Sequence, residues 1–203
     1  MGKDYRIEVV QEENEELRMK TAEFLSTHGF EMSAATAQEI ERDRAHLESC
    51  GAKNWAMLNE RLIVALAPDS NEIYGAVHLA SPRSLIIWHF CDDQIDPAER
   101  NRRIDAALER INLSKLAVDS AHGGVGIGHA LVENAVEVAR GLGYDVICGQ
   151  IDTELGNNTK LKKFYKSCGF TVAAPYRTPV EMTGGKNFHR TSQQKGSKFF
   201  LKL

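Results

Sequence analysis

Residues Ala121–Leu131 read AHGGVGIGHAL, with glycine at four of the six positions from Gly123 to Gly128 and a long apolar-periodic segment directly after. Glycine costs backbone entropy and forms helices poorly, so such a run calls for a reason. A glycine loop between a strand and a helix is an arrangement that holds phosphate. The first helical N–H groups lack intrahelical partners, the helix dipole makes that end electropositive, and glycine lets a ligand reach the backbone. The plainer reading is a tight strand–helix turn with close packing; four glycines in six at a helix start favour the anion site. The Walker pattern requires Lys and then Ser or Thr after the last glycine, and His129 follows Gly128. The dinucleotide pattern GxGxxG fails as well, because its third glycine falls on His129 or Leu131. A kinase or ATPase is therefore disfavoured, and a Rossmann dehydrogenase is weakly supported.

Other reactive side chains are sparse. Cys50, Cys91, Cys148 and Cys168 form neither a CxxC pair nor a zinc pattern, which suits reduced thiols in a cytoplasmic protein and no metal site. Cys91 has His89 nearby, but the adjacent Asp92 and Asp93 disfavour its thiolate. The 203 residues suffice for one sizeable core, and the formal net charge of -3 argues against nucleic acid as a partner. No apolar run reaches the roughly 18 residues of a membrane span. The N-terminal stretch lacks the apolar centre of a signal peptide.

The elements that must position the loop follow from patterning. YRIEVV reads as a strand. EENEELRMKTAEFLSTHG is a helix with Leu17, Thr21, Phe24, Leu25 and His28 on one face, stopped at Gly29. Ser33 is placed to cap a second helix carrying Ala37, Ile40, Arg44 and Leu47. RLIVALA, PDSN and EIYGAVHLA form an antiparallel hairpin. The apolar run SLIIWHFC at 84–91 has no period that separates strand from helix. Asp96-Pro97 starts a helix with Ile104, Ala107, Leu108 and Ile111 on one face. LSKLAV (Leu113–Val118) is a strand, followed by the glycine loop and a helix with Ile127, Leu131, Ala135, Val138 and Leu142 in a stripe. A strand (Tyr144–Asp152), a helix ending at Gly169, the strand FTVAAPY, a polar loop over 177–196 and a last strand SKFFLKL complete the chain.

LAVDSAHGGVGIGHAL, followed one strand later by NTKLKKFYKSCGF (Asn158–Phe170), resembles the GNAT superfamily of N-acetyltransferases. The loop resembles that family's pyrophosphate motif, Arg/Gln-x-x-Gly-x-Gly/Ala. Gly126 and Gly128 take the small positions, and Gly123 stands where Arg or Gln is usual. The second segment resembles Asn-x-x-Ala-x-x-Phe/Leu-Tyr followed by Gly-Phe, with Leu161 for the usual Ala and with Tyr165, Gly169 and Phe170 matching. The resemblance is strongest over 113–176. It implies a single α/β (α+β) domain over 1–203. Its sheet is mixed, mostly antiparallel and twisted, splayed between strand four (Leu113–Val118) and strand five (Tyr144–Asp152), with helices on both faces. The segments 84–110 and 177–196 become acceptor-side insertions.

The same resemblance implies acetyl-CoA as co-substrate, its pantetheine arm in the split beside the backbone of Leu116, Ala117 and Val118. The Val118 N–H would face the thioester carbonyl. Gly123, Gly124, Val125, Gly126, Ile127, Gly128 and His129 would hold the pyrophosphate. Asn158 would bond the pantetheine or cap its helix. Tyr165 matches the family's general acid for the departing thiolate; its alternative is an aromatic packing on the sheet. The positions that carry a base on strand four in some relatives are Ser114 and Asn112, which do not titrate near neutrality. Other candidates are His78, Glu60, Asp152 and Glu154, none singled out. His122 and His129 flank the loop as surface histidines or phosphate contacts, and Asp119 reads as a turn former. The expected activity is acetyl transfer to a primary amine of a small molecule or peptide, without a membrane partner. A non-catalytic CoA-binding module and transfer of a bulkier acyl group are the alternatives. A homodimer through the 84–91 run or the last strand is a further expectation.

Overall fold

The computed structural model describes residues 4–30, 35, 37–90, 94–152, 158–173 and 196–203. Strands β1 (Arg6–Val9), β2 (Glu60–Leu66), β3 (Ile73–Ala80), β4 (Arg110–Val118), β5 (Val146–Asp152), β6 (Thr171–Val172) and β7 (Gly196–Lys202) form one sheet. Its order is β1-β2-β3-β4-β5-β7-β6. Every neighbouring pair is antiparallel except β4 with β5. The helices are α1 (Glu15–Thr27), α2 (Ala37–Ser49), α3 (Arg83–Phe90), α4 (Pro97–Leu108), α5 (Ile127–Gly141) and α6 (Asn158–Ser167). This is the α/β domain with helices on both faces that the motifs imply.

Period-2 alternation along the central strands sets the two layers. Ile63, Ala65, Val77 and Leu79 point to one face and pack with Ile127, Leu131 and Ala135 of α5. Leu62, Val64, Leu66 and Ala76 point to the other and pack with Leu17 and Leu25 of α1. The helices start where polar side chains satisfy free N–H groups. Asn14 accepts from Leu17 N at the start of α1, and Asp96 accepts from Ala98 N and Glu99 N at the start of α4.

Several boundaries differ from expectation for physical reasons. The unassigned run at 84–91 is helical over Arg83–Phe90, and Ile86 packs with Ile104 and Leu108 of α4 and with Leu47 and Leu58. Helices α3 and α4, which come between β3 and β4 in the chain, thus form a second small apolar core with α2 and the segment after it. Ile111, expected on the α4 face, lies in β4. Glu109 caps α4 by donating its N–H to Asp105 O, and the chain enters the strand at Arg110 without a turn. Leu142 caps α5 instead of continuing it, with Gly143 at φ +82° beyond. Tyr144 precedes β5; its hydroxyl bonds to Met57 O and lies 3.2 Å from Ser81 Oγ. Of the surfaces expected to dimerise, β7 sits between β5 and β6, while Ile87 in the 84–91 run is exposed. Ser33, Cys91, Glu154, the strand residues from Ala174 on and the loop from Arg177 to Lys195 lie outside the described residues. Among the described residues no helix is long and apolar enough to cross a membrane.

Candidate active site

The sheet opens at one place. Strands β4 and β5 pair only at Arg110↔Val146, Ile111↔Ile147 and Asn112↔Cys148, although β4 runs on to Val118 and β5 to Asp152. Beyond Asn112, β4 keeps its partner β3 on one side and, among the described residues, has none on the other. Its register with β3 slips between His78↔Lys115 and Leu79↔Leu113, so Ser114 is an extra, bulged residue. Antiparallel pairing then decides which backbone groups face the opening. Asp119 N donates to Tyr74 O at 2.8 Å, so alternation directs the N–H and C=O of Ala117 toward β3 and those of Leu116 and Val118 toward the split. Of the three residues expected to line the split, Leu116 and Val118 therefore present backbone donors and acceptors, and Ala117 sits between them.

The glycine loop lies at the open end of β4. A short turn over Ser120–His122 follows Asp119, whose carboxylate accepts from Ala121 N, in keeping with the expected turn role. Gly124 has φ +83° and Gly126 φ +90°, conformations that cost an L-residue roughly 1–2 kcal/mol. Among the described residues a Cβ at Gly124 would meet nothing within 4 Å, and one at Gly126 only Tyr5 Oη at 3.9 Å. Here the backbone borders open space, with exposed Val125 between the two glycines. Gly126 caps α5 without a side-chain bond, and the first intrahelical donor is Ala130 N to Gly126 O at 3.0 Å. The N–H groups of Ile127, Gly128 and His129 are thus available at the positive end of the helix. That cradle fits a pyrophosphate. Gly123 differs from its neighbours: φ is -66° and ψ 146°, open to any residue. Gly128 serves packing, since a Cβ there would lie 3.3 Å from Phe164 of α6.

The flanking histidines are held by side chains. His122 stacks on Tyr74 with ring centroids 3.6 Å apart. His129 Nε2 lies 3.0 Å from Ser167 Oγ, and its ring meets Phe164 edge-on. Asn158 is the first residue of α6, half-buried.

Tyr165 is buried in the core shared by α5 and α6 and stacks on Phe199 with centroids 3.8 Å apart. Phe199 can lie there because its β5 partner is Gly149. A Cβ at that position would fall 2.3 Å from Phe199 Cζ and 2.8 Å from Leu113 O. Gly149 and Leu113 are the residues just past the last β4–β5 pair, so the Tyr165–Phe199 stack stands at the vertex of the split. Burial pushes the Tyr165 phenol further above its ordinary range, so it stays protonated through neutral pH. The motifs did not flag Gly149 or Phe199; a glycine inside YDVICGQID is the signal of close backbone approach.

On the opposite face two of the candidate bases meet. His78 Nε2 lies 3.3 Å from Glu60 Oε1, with both side chains buried. Asp152 ends β5. Burial raises the Cys148 thiol to about 11 against the pull of Arg110 and Lys198, and it raises Cys168 as well, so neither is a ready nucleophile.

Comparison with known proteins bears on this arrangement. The family model described as Acetyltransferase (GNAT) family matches residues 28–170. A chain of the NatC complex, solved bound to Gag peptide and CoA, is 16% identical over 98% of this chain and 99% of its own, with a TM-score of 0.53. An acetyltransferase of the GNAT family from Staphylococcus aureus Mu50 is 13% identical over 98% of this chain and 99% of its own, with a TM-score of 0.51. YncA from Salmonella typhimurium, solved with acetyl-CoA, is 17% identical over 98% and 94%, with a TM-score of 0.52. The chain spans only 65% of nourseothricin acetyltransferase, matched over 70% of its own residues at 17% identity and a TM-score of 0.44. At these identities the likeness is one of fold. No curated protein matches the chain.

Proposed function

The chain belongs to the acetyltransferase (GNAT) family, and from that premise we propose that it moves an acetyl group from acetyl-CoA to a primary amine by direct attack. The observation that carries this reading is the split that begins after Asn112↔Cys148 and has the open glycine cradle at its far end. Backbone groups of Leu116 and Val118 would pair with the pantetheine amides as an added strand does, with the Val118 N–H aimed at the thioester oxygen. Donors from Gly123 to His129 would hold the pyrophosphate. Tyr165, kept protonated by burial, would hand its proton to the departing thiolate. Asn158 would meet the pantetheine from α6. The acceptor is an amine on a small molecule or peptide, without a nucleic-acid or membrane partner. Cysteines without paired spacing support a cytoplasmic setting.

A Tyr165→Phe variant separates chemistry from binding, because the ring that stacks on Phe199 remains. It is expected to lower kcat by about 10²-fold or more, the range of general acid catalysis, while calorimetry finds the acetyl-CoA Kd within about twofold of the wild-type value. Unchanged kcat would remove Tyr165 from the mechanism. Two observations favour a second reading, a CoA-binding module without catalysis: β4 carries no carboxylate, and Gly123 replaces the usual Arg or Gln. Acetyl-CoA binding without turnover on any amine would select it. Transfer of a bulkier acyl group is tested by the same assay with longer acyl-CoA donors.

A further inference from the structure

The transferase reading needs a group to take the proton of the incoming ammonium, and Asn112 and Ser114, the β4 positions where the family resemblance would put it, do not titrate near neutrality. The two faces of the sheet divide the task. Tyr165 and the helix that starts at the glycine cradle share the core of one face, with Ile127, Leu131 and Phe199. A donor held from that side leaves the α1 face of the split as the approach for the amine. On that face, alternation places His78 with Ala76, and Lys115 with Ala117. His78 is in register with Lys115, directly beside the Ser114 bulge and one strand from the opening.

His78 lies against a carboxylate that is itself held in place. Glu60 Oε1, 3.3 Å from His78 Nε2, also accepts the Ala35 N–H at 3.0 Å, and the Ala35 carbonyl accepts from Arg18 Nη2 at 2.7 Å. The carboxylate is therefore fixed from a second side. His78 is 7% exposed, and neither ring nitrogen makes a hydrogen bond of good geometry among the described residues. A buried histidine kept only for packing is normally satisfied, since an orphaned polar group costs about 1–3 kcal/mol. Nδ1 is left for a water or a ligand.

We propose that His78 is the proton acceptor for the amine, working through one bridging water, and that Glu60 is the positioning residue that holds the ring. Nδ1 takes a proton from the water as the water takes one from the ammonium. The neutral amine forms an N–C bond to the thioester carbonyl and the C–S bond breaks; the departing thiolate takes the proton of Tyr165, the second amine proton replaces it through solvent, and the imidazolium returns its own proton to solvent. Among the described residues the charged groups around the ring are Glu60 from β2, Lys115 from β4 and, through Ala35, Arg18 from α1. This inference rests on the transferase reading.

The test is the pH dependence of kcat/KM for an accepted amine in wild type, His78→Gln and Glu60→Gln, with calorimetric acetyl-CoA Kd and melting temperature measured alongside. His78→Gln is expected to lower kcat/KM by about 10²-fold at pH 7 and to lose the rising acid limb, with acetyl-CoA affinity within about twofold. Glu60→Gln is expected to lower kcat, with KM little changed, by less than His78→Gln does, because the ring loses its neighbouring carboxylate but keeps its accepting nitrogen. A limb and rate retained in His78→Gln would overturn the proposal alone. So would a rate loss matched by an equal loss of acetyl-CoA affinity, the mark of a structural lock. Should His78→Gln fail to fold, nitrogen NMR of the wild-type imidazole decides: a ring that titrates between pH 5 and 9 supports the assignment, and one fixed in a single protonation state overturns it. Wild-type turnover with no amine would overturn the transferase reading and this inference with it.

Discussion

At the scale of residues, the loop divides its glycines between two tasks. Gly124 and Gly126 are fixed by backbone conformation, and Gly128 by the approach of Phe164. Gly123 is required by neither: its φ is ordinary, and among the described residues a Cβ would meet only Ser120 O at 3.3 Å. A side chain can be returned there at little conformational cost. Gly123→Arg is expected to tighten acetyl-CoA binding by several-fold, the effect of one charge-assisted contact to phosphate, measured by calorimetry at low salt; weaker binding would show that the side chain does not reach the anion. These loop residues were legible because glycine type and spacing carry the signal by themselves. The proposed base was legible only as one of several candidates. Glu60 and His78 meet only because the β2–β3 register puts Leu62 opposite His78, and the PDSN turn does not specify that register.

At the scale of elements, the split depends on β5 carrying no side chain where it leaves β4. Gly149 lets Phe199 cross the strand and support Tyr165, and it lets Leu113 O approach. Gly149→Ala is expected to destabilise the fold by about 1–3 kcal/mol, the usual cost of overpacking. Pairing it with Phe199→Leu should recover part of the loss in thermal unfolding, leaving the share due to the backbone contact with Leu113. Full stability in Gly149→Ala alone would show that the stack shifts freely. Strands with clear alternation, and a helix with a cap such as Asp96 before α4, were readable from patterning; the Asn14 cap of α1 was not read from the sequence. Helix α3 was not, because SLIIWHFC is apolar at nearly every position and only the packing of Ile86 on α4 chooses its form. The start of β4 was missed because the chain passes from helix cap to strand at Glu109–Arg110 with no turn residue between.

At the scale of the molecule, buried neutral acids set the alkaline limit of the fold. Burial raises the Cys148 thiol from its ordinary 9.0 to about 11 and moves the Tyr144 and Tyr165 phenols upward. A folded-state value above the unfolded one contributes stability that is fully present below the unfolded value and is lost as pH rises through the folded value. For Cys148 that window is about pH 9 to 11. Melting temperature is expected to hold from pH 7 to about 9 and then fall, and Cys148→Ala should flatten the first part of the fall; an equally steep decline in that variant would assign it to other groups.

The central claim is that the split and its cradle carry out acetyl transfer to an amine. Thiol release from acetyl-CoA, followed against a panel of small-molecule and peptide amines with mass spectrometry of the products, tests it most directly. The account expects thiol release that depends on at least one amine, matched mole for mole by an acetylated product. Acetyl-CoA bound by the protein but released as thiol with no amine in the panel would contradict it.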